Sequence, residues 1–292
     1  MTLFGLFVPQ QETPLHSEAL HAFATGLEKA NLPHTIFPLE DGYRPCEIAV
    51  TFGVYKKRTP RGRIVGEIIA THNCLAPQGR HLVIERGFVH RDRYFMVGWG
   101  GLNGRADFCN AGSPPDRWEQ LNVQILPWRK KGKHIVLCGQ VPWDASVQHT
   151  DHITWCRETA KTLARFSRRR VIFRPHPLQP TAIDISDTRA RLSSSESLQQ
   201  DLINAWAVVT FNSNAGVEAT LAGVPAFVAD EGAMGYSILN RDLKQIESPR
   251  MPDRSQWLYD LAYTQWTLAE IASGQTIQHL WKRELVRSRD CA

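Results

Sequence analysis

The sequence predicts an α/β protein made of two doubly wound units, and three observations carry that reading. Apolar, β-rich runs alternate with stretches of helical period along most of the 292 residues, as when each strand feeds a covering helix. That rhythm stops in a tract rich in Gly, Asn and Pro over 98–115, followed by the basic stretch 128–133, and then restarts. The length suits two units of about 150 residues each.

Residues 2–8 read as a strand, 15–30 as an amphipathic helix, 34–38 and 47–54 as strands, 64–71 as a helix and 81–85 as a strand. Beyond the connection, 134–138 is an apolar strand, 151–166 a helix, 171–174 and 207–211 strands, 215–222 a helix and 226–229 a strand. Residues 256–285 carry apolar positions at helical spacing, interrupted at Gly274, which fits two helices packing back on the first unit. The expected division is 1–125, 126–255 and a helical C-terminal segment, 256–292. Parallel sheets are expected in both units, so chemistry is sought in the loops that follow strands.

Lys and Arg number 34 against 29 Asp and Glu, a net charge of +5 that suits an anionic ligand without naming one. No apolar run reaches the roughly 20 residues of a membrane helix, and residues 1–9 lack the basic lead-in of a signal peptide. A cytoplasmic location is the expectation. The six cysteines, Cys46, Cys74, Cys109, Cys138, Cys156 and Cys291, make no C-x-x-C pair and no zinc-ligand spacing, and read as reduced packing residues. There is no Asp-x-Asp sequence, so no metal is expected.

Three segments of the second half place chemistry at strand ends. In 136–147 a strand runs into a turn at Gly139 and delivers Gln140, Asp144 and Ser146 to one loop, unless Asp144 or Ser146 simply caps a helix. In 171–177 Arg174 and His176 leave a strand, with His176 held between Pro175 and Pro177. Both side chains can meet phosphate oxygens, although a lone histidine at a strand end is also an ordinary surface residue. In 208–219 a strand meets the polar turn Asn212-Ser213-Asn214 and a helix, whose first N–H groups favour an anion. Glu218, one turn in, can accept hydrogen bonds from sugar hydroxyls; the alternative is a plain helix start.

Together, Gly139-Gln140-Val141 with Asp144-Ala145-Ser146-Val147, Arg174-Pro175-His176-Pro177, and Ser213-Asn214-Ala215-Gly216-Val217-Glu218-Ala219 with Gly223-Val224-Pro225 resemble the successive motifs of bacterial capsule-polysaccharide Kdo transferases. Those are GT-B glycosyltransferases that use CMP-activated sugars. The resemblance covers about 135–230. It implies a GT-B fold of two Rossmann-like domains facing a central cleft, with a nucleotide-sugar donor, CMP- or UDP-linked, as co-substrate and no other cofactor. It further implies that Arg174 and His176 contact donor phosphate, Ser213 and Asn214 line the phosphate turn, and Glu218 contacts the nucleotide. Gln140, Asp144 and Ser146 would line the cleft. Where that family follows its Gly-x-Pro with a glycine- and aromatic-rich stretch, this chain has Asp230-Glu231-Gly232-Ala233-Met234-Gly235-Tyr236, which leaves the sugar open.

The first half is read as the acceptor side. Glu85 and Arg86, then Trp99, Asn103, Arg105 and Asp107, are expected to crowd one strand-end region, unless the glycines around them only make a structural turn. They match neither a dinucleotide fingerprint nor a P-loop. The run 55–63, with Lys56, Lys57, Arg58, Arg61 and Arg63, reads as a solvated loop or as a track for a polyanion, with Tyr55 and Trp99 available to stack. Transfer needs a base for the acceptor hydroxyl and charge stabilisation for the departing phosphate. Glu85 and Asp107 are the candidate bases, with Asp144 a third. Three functions stay open: transfer to a surface polysaccharide or glycolipid, a phage-type transfer to a hydroxylated base of DNA, and a non-catalytic module binding nucleotide sugar or nucleic acid.

Overall fold

The computed structural model describes residues 2–10, 14–55, 59–76 and 80–281. The chain divides into two compact units, one of residues up to Trp118 together with those from Leu258, the other of Glu119–Trp257.

The first unit opens with β1 (Thr2–Val8), α1 (Pro14–Lys29), β2 (His34–Pro38), β3 (Cys46–Phe52), α2 (Pro60–Leu75) and β4 (Arg80–Arg86), whose four strands run parallel. Alternation along β1 sends Phe4, Leu6 and Val8 to one face, where Leu20, Phe23 and Leu27 of α1 cover them. Phe7 goes to the other face, against Val65 and Ile68 of α2. With both faces covered, the strands are apolar throughout rather than alternating, which is why they were legible as short apolar runs.

Helix α2 starts earlier than its apolar spacing predicts. The Thr59 hydroxyl accepts the Gly62 N–H and Pro60 occupies the first turn, so Arg61 and Arg63 are helical rather than part of a loop. Lys56, Lys57 and Arg58 lie outside the described residues. Tyr55 packs on Gly66, where an added Cβ would come within 2.2 Å of the ring, so this ring is a packing group.

The sheet is not wholly parallel, contrary to expectation. β5 (Tyr94–Trp99) returns antiparallel to β4, and its last residues are the Gly98 and Trp99 that had read as loop. Gly98 is needed there because a Cβ would sit 2.7 Å from the Phe108 ring. A short helix, α3 (Asp116–Leu121), leads out of the unit.

In the second unit β6 (His134–Cys138), α4 (His152–Phe166), β7 (Arg170–Arg174), β8 (Arg191–Leu192), α5 (Leu198–Leu202), β9 (Ala205–Thr210), α6 (Ala215–Leu221) and β10 (Ala226–Val228) build a parallel sheet in the order β10-β9-β6-β7-β8. Ile135 and Leu137 face Cys156, Ala160 and Leu163 of α4, while Val136 and Cys138 pack with Ala215 and Ala219 of α6. The Asp151 carboxylate caps α4 by accepting the Thr154 N–H.

The Gly223-Val224-Pro225 sequence has a backbone reason. Gly223 follows α6 with φ +69°, and a Cβ there would lie 2.1 Å from the Pro127 carbonyl oxygen. Backbone cannot swing aside as a side chain can, so Gly223→Ala is expected to cost about 2–3 kcal/mol. A fall in urea midpoint at unchanged slope checks it; an unchanged midpoint would show that the 127 segment shifts freely.

The chain then passes through α7 (Ser255–Ala262), β11 (Gln265–Thr267), α8 (Leu268–Ala272) and further helical residues from 275. β11 pairs antiparallel with β5, completing the first sheet as β11-β5-β4-β3-β1-β2. The expected C-terminal helices do return to the first unit, interrupted at Gly274 (φ +88°), but a strand also lies between them. Gly26 of α1 allows α8 to approach closely: a Cβ there would lie 2.3 Å from the Ile271 carbonyl oxygen. No helix among the described residues is long and apolar enough to cross a membrane.

Candidate functional site

In the second sheet the chain winds from β6 outward to β7 and β8, then returns to lay β9 and β10 on the other side of β6. The reversal falls between β6 and β9, and open α/β sheets bind ligands beyond the carboxyl ends of strands at such a point. Four neighbouring strands end level there. Cys138 pairs with Arg174 and with Thr210, and Thr210 pairs with Val228. Two residues past each of these stand His176, Gln140, Asn212 and Asp230, which therefore line one rim in the order Asp230, Asn212, Gln140, His176.

The first three members are tied together. Gln140 Oε1 accepts the Asn212 N–H at 3.1 Å, and its Nε2 donates to Asn212 Oδ1 at 2.8 Å and to Ser146 Oγ at 3.1 Å. Asn212 Nδ2 donates to the Ser146 carbonyl and to Asp230 Oδ1, both at 2.8 Å. Ser146 in turn donates its hydroxyl to Asp144 Oδ1 at 2.9 Å, and the other oxygen of Asp230 meets His149 Nε2 at 3.0 Å. Gln140 and Asn212 are buried, so the network holds the strand ends in a fixed geometry.

A second histidine supports this layer from beneath. His152 Nε2 accepts the Gln140 N–H at 2.9 Å, and the ring stacks on Trp155. Burial pushes its pKa down to about 4, so the ring is neutral at pH 7. The nearby Cys138 and Cys156 thiols are pushed up to about 12 by burial, which makes them packing groups. Cys46 is also buried, whereas Cys74 is exposed, Cys109 half-buried and Cys291 outside the described residues.

His176 is half-buried, and its Nδ1 accepts the Leu178 N–H at 3.2 Å, which leaves the ring proton on Nε2. Arg174 is occupied differently: its guanidinium donates to buried Asp201 at 2.7 Å and to the Ser195 and Glu196 carbonyls at 3.1 Å. Its charge is balanced inside the unit. Ser213 Oγ accepts the Ala215 N–H, while the Glu218 carboxylate meets Asn214 Nδ2 at 3.2 Å and Gln199 Nε2 at 3.0 Å.

The acceptor-side group does not assemble as expected. The antiparallel β4–β5 pairing puts Trp99 opposite Leu82 and Phe95 opposite Arg86. Trp99, bridged to Asp107, is thus at the amino end of β4, while Glu85 and Arg86 are at its carboxyl end. Asn103 (φ +53°) and Arg105 belong to the turn beside Trp99. Trp99 is no stacking platform: it is 6% exposed, with the Arg80 guanidinium 3.7 Å from the ring centroid. At the carboxyl rim Glu85 lies beside Gly53, and His16 of α1 stacks on Phe52 at 3.8 Å.

Sequence reading missed Asn212, Asp230, His149, His152 and His16. Strand register was the signal for the first two, since it places them level with Gln140. Among the described residues no group of three or more His, Cys, Asp or Glu side chains could hold a metal ion.

The fold and this rim define a class: the chain has a two-unit, Rossmann-like GT-B fold. Its structure is similar to KpsC of Thermosulfurimonas dismutans, the beta Kdo 2,4 transferase, with TM-score 0.57 and 14% identity over 91% of this chain and 92% of that one. It is also similar to the beta Kdo 2,7 transferase of KpsC from the same organism, with TM-score 0.50 and 14% identity over 97% and 100% of the two chains. No protein-family model and no curated protein sequence matches. The resemblance read from the motifs at 135–230 thus extends to the fold of nearly the whole chain.

Proposed function

We propose that the protein is a glycosyltransferase that moves a sugar from a CMP- or UDP-linked donor to a hydroxyl of a surface polysaccharide or glycolipid. The observation that carries the reading is the level row Asp230, Asn212, Gln140 and His176 at the reversal between β6 and β9, in a GT-B fold. In the reaction the bond from the anomeric carbon to the donor phosphate oxygen breaks as the acceptor oxygen bonds to that carbon, and a base takes the acceptor proton. His176 Nε2–H donates to the departing phosphate, with Ser213 and Asn214 lining the phosphate turn between β9 and α6 and Glu218 accepting from the nucleotide ribose. Arg174, held by Asp201, positions the His176 loop rather than binding phosphate. Gln140 and Ser146 shape the floor, and Asp144 orients the Ser146 hydroxyl. Glu85 is the preferred base because it stands at the carboxyl rim of its sheet; Asp107 stands at the opposite rim.

A thermal-shift screen across CMP-, UDP-, GDP- and TDP-sugars tests the reading, since a ligand of the native state raises Tm. A CMP- or UDP-sugar should do so, and His176→Ala and Glu218→Gln should each lose about tenfold or more in transfer while melting near the parent. Retained transfer in both variants would remove the site assignment. A panel without any shift or turnover would favour a binding module, and transfer to DNA alone would replace the acceptor.

A further inference from the structure

The other rim of the second sheet carries a feature that this reading does not use. Two basic stretches far apart in sequence, 129–134 and 165–170, each hold four cations: Arg129, Lys130, Lys131 and Lys133 in one, Arg165, Arg168, Arg169 and Arg170 in the other. The β6–β7 register pairs His134 with Arg170 and so brings the stretches side by side at the amino ends of the strands. Between them is a cavity of about 990 Å³, lined by Lys133, Arg168 and Arg170 and by half-buried Phe166, with Glu247 its single acid. Glu247 is already taken, by Arg169 and by the Ser167 hydroxyl. Lys133, Arg168 and Arg170 are exposed and pair with no acid among the described residues. At about 3.3 Å per strand residue, the cavity is roughly 20 Å from the Gln140 rim.

Like charges crowded around a concavity raise the free energy of the empty site, and a bound polyanion relieves that repulsion while releasing counterions. We propose that this cavity binds a linear, carboxylate-bearing polysaccharide, as a holding site for the acidic glycan separate from the site of transfer. The choice of a saccharide acceptor rests on the proposed function. The site's own chemistry supports it. Guanidinium forks at Arg168 and Arg170 match carboxylates, and a flexible chain can follow the concavity and present successive carboxylates to them. The lining holds two rings, both half-buried: His134, whose Nε2 is held by the Asp201 carbonyl at 2.8 Å, and Phe166, which lies beside Arg165 at 5.6 Å from its guanidinium carbon, so neither is an open platform on which successive bases would stack.

The test compares the 292-residue chain with a variant carrying Lys133→Ala, Arg168→Ala and Arg170→Ala. Probes are polygalacturonate oligomers, neutral dextran, single-stranded and duplex oligonucleotides, and phosphatidylglycerol vesicles. Polygalacturonate should bind the parent, weaken about tenfold or more between about 50 and 200 mM salt, and bind the variant at least about tenfold less tightly. Dextran should not bind. Equal binding by parent and variant overturns the proposal, as does tighter binding of either oligonucleotide or of the vesicles. Donor thermal shifts, run alongside, should be the same in both proteins. Polyanion binding without any donor shift would fail the proposed function and leave the cavity's ligand standing; a donor shift without polyanion binding would fail this inference alone.

Discussion

Asn212→Ala should destabilise the second unit by about 4 kcal/mol and abolish donor binding. The side chain makes three hydrogen bonds: it accepts from Gln140 Nε2 and donates to the Ser146 carbonyl and to the charged Asp230. A neutral bond contributes about 1 kcal/mol and one to a charged group about 1.5–3, and truncation also leaves buried partners short of a donor. Asn212→Asp keeps the shape but sets an acceptor against the Ser146 carbonyl and a second negative charge against Asp230, so it should be about as costly at neutral pH. Because Gln140 exchanges bonds with both the backbone and the side chain of Asn212, Gln140→Ala and Asn212→Ala should not add. A double-mutant cycle by urea denaturation should return a coupling of at least about 1 kcal/mol. Strict additivity would show that the two residues hold the rim independently.

How much of this was readable beforehand depends on which interaction fixes each position. Strands such as β1, β3, β6 and β9 were legible because burial on both faces makes them continuous apolar runs, and the turns after them because Gly139 and the flanking prolines of His176 punctuate the chain. Strand β5 was not, since Gly98 looks like loop until Phe108 is seen to need the space. Missing β5 merged the two ends of β4 into one, and with them Glu85 and Asp107. The same limit applies at the rim of the second sheet. Gln140 stood out as a polar residue after a glycine turn, but Asn212 looked like filler before Ser213 and Asn214. Only inter-strand register puts Asn212 opposite Gln140 and Asp230 beyond it, and register is a long-range property set by packing. Likewise the pairing of Arg174 with Asp201 was hidden, because the two are 27 residues apart in sequence.

Acid should loosen both units between about pH 6.5 and pH 4, before most carboxylates protonate. His152 in the second unit and His81 in the first are each pushed by burial from 6.5 to about 4. His81 donates Nε2–H to Thr51, and the neighbouring His72, also lowered by burial, adds repulsion if either is charged. The unfolded chain takes up these protons below about 6.5, whereas the fold resists until about 4. The stability is therefore fully present above 6.5, lost as pH falls through that window, and lost no further below it. Each group should contribute about 2–3 kcal/mol of loss by pH 4.5. The lowered carboxylates act lower, with Asp187, held by Arg157 and Lys161, down at about 2. Protonating His152 has a local cost as well, because its Nε2 would no longer accept the Gln140 N–H and the rim at Gln140 would lose its support. His152→Gln keeps an acceptor without a titrating ring, so it should flatten the acid slope of urea denaturation by roughly one histidine's share. An unchanged slope would mean that the His152 ring carries no stability difference between pH 7 and 4.5, and that the Gln140 turn is held by the Asn212 network alone.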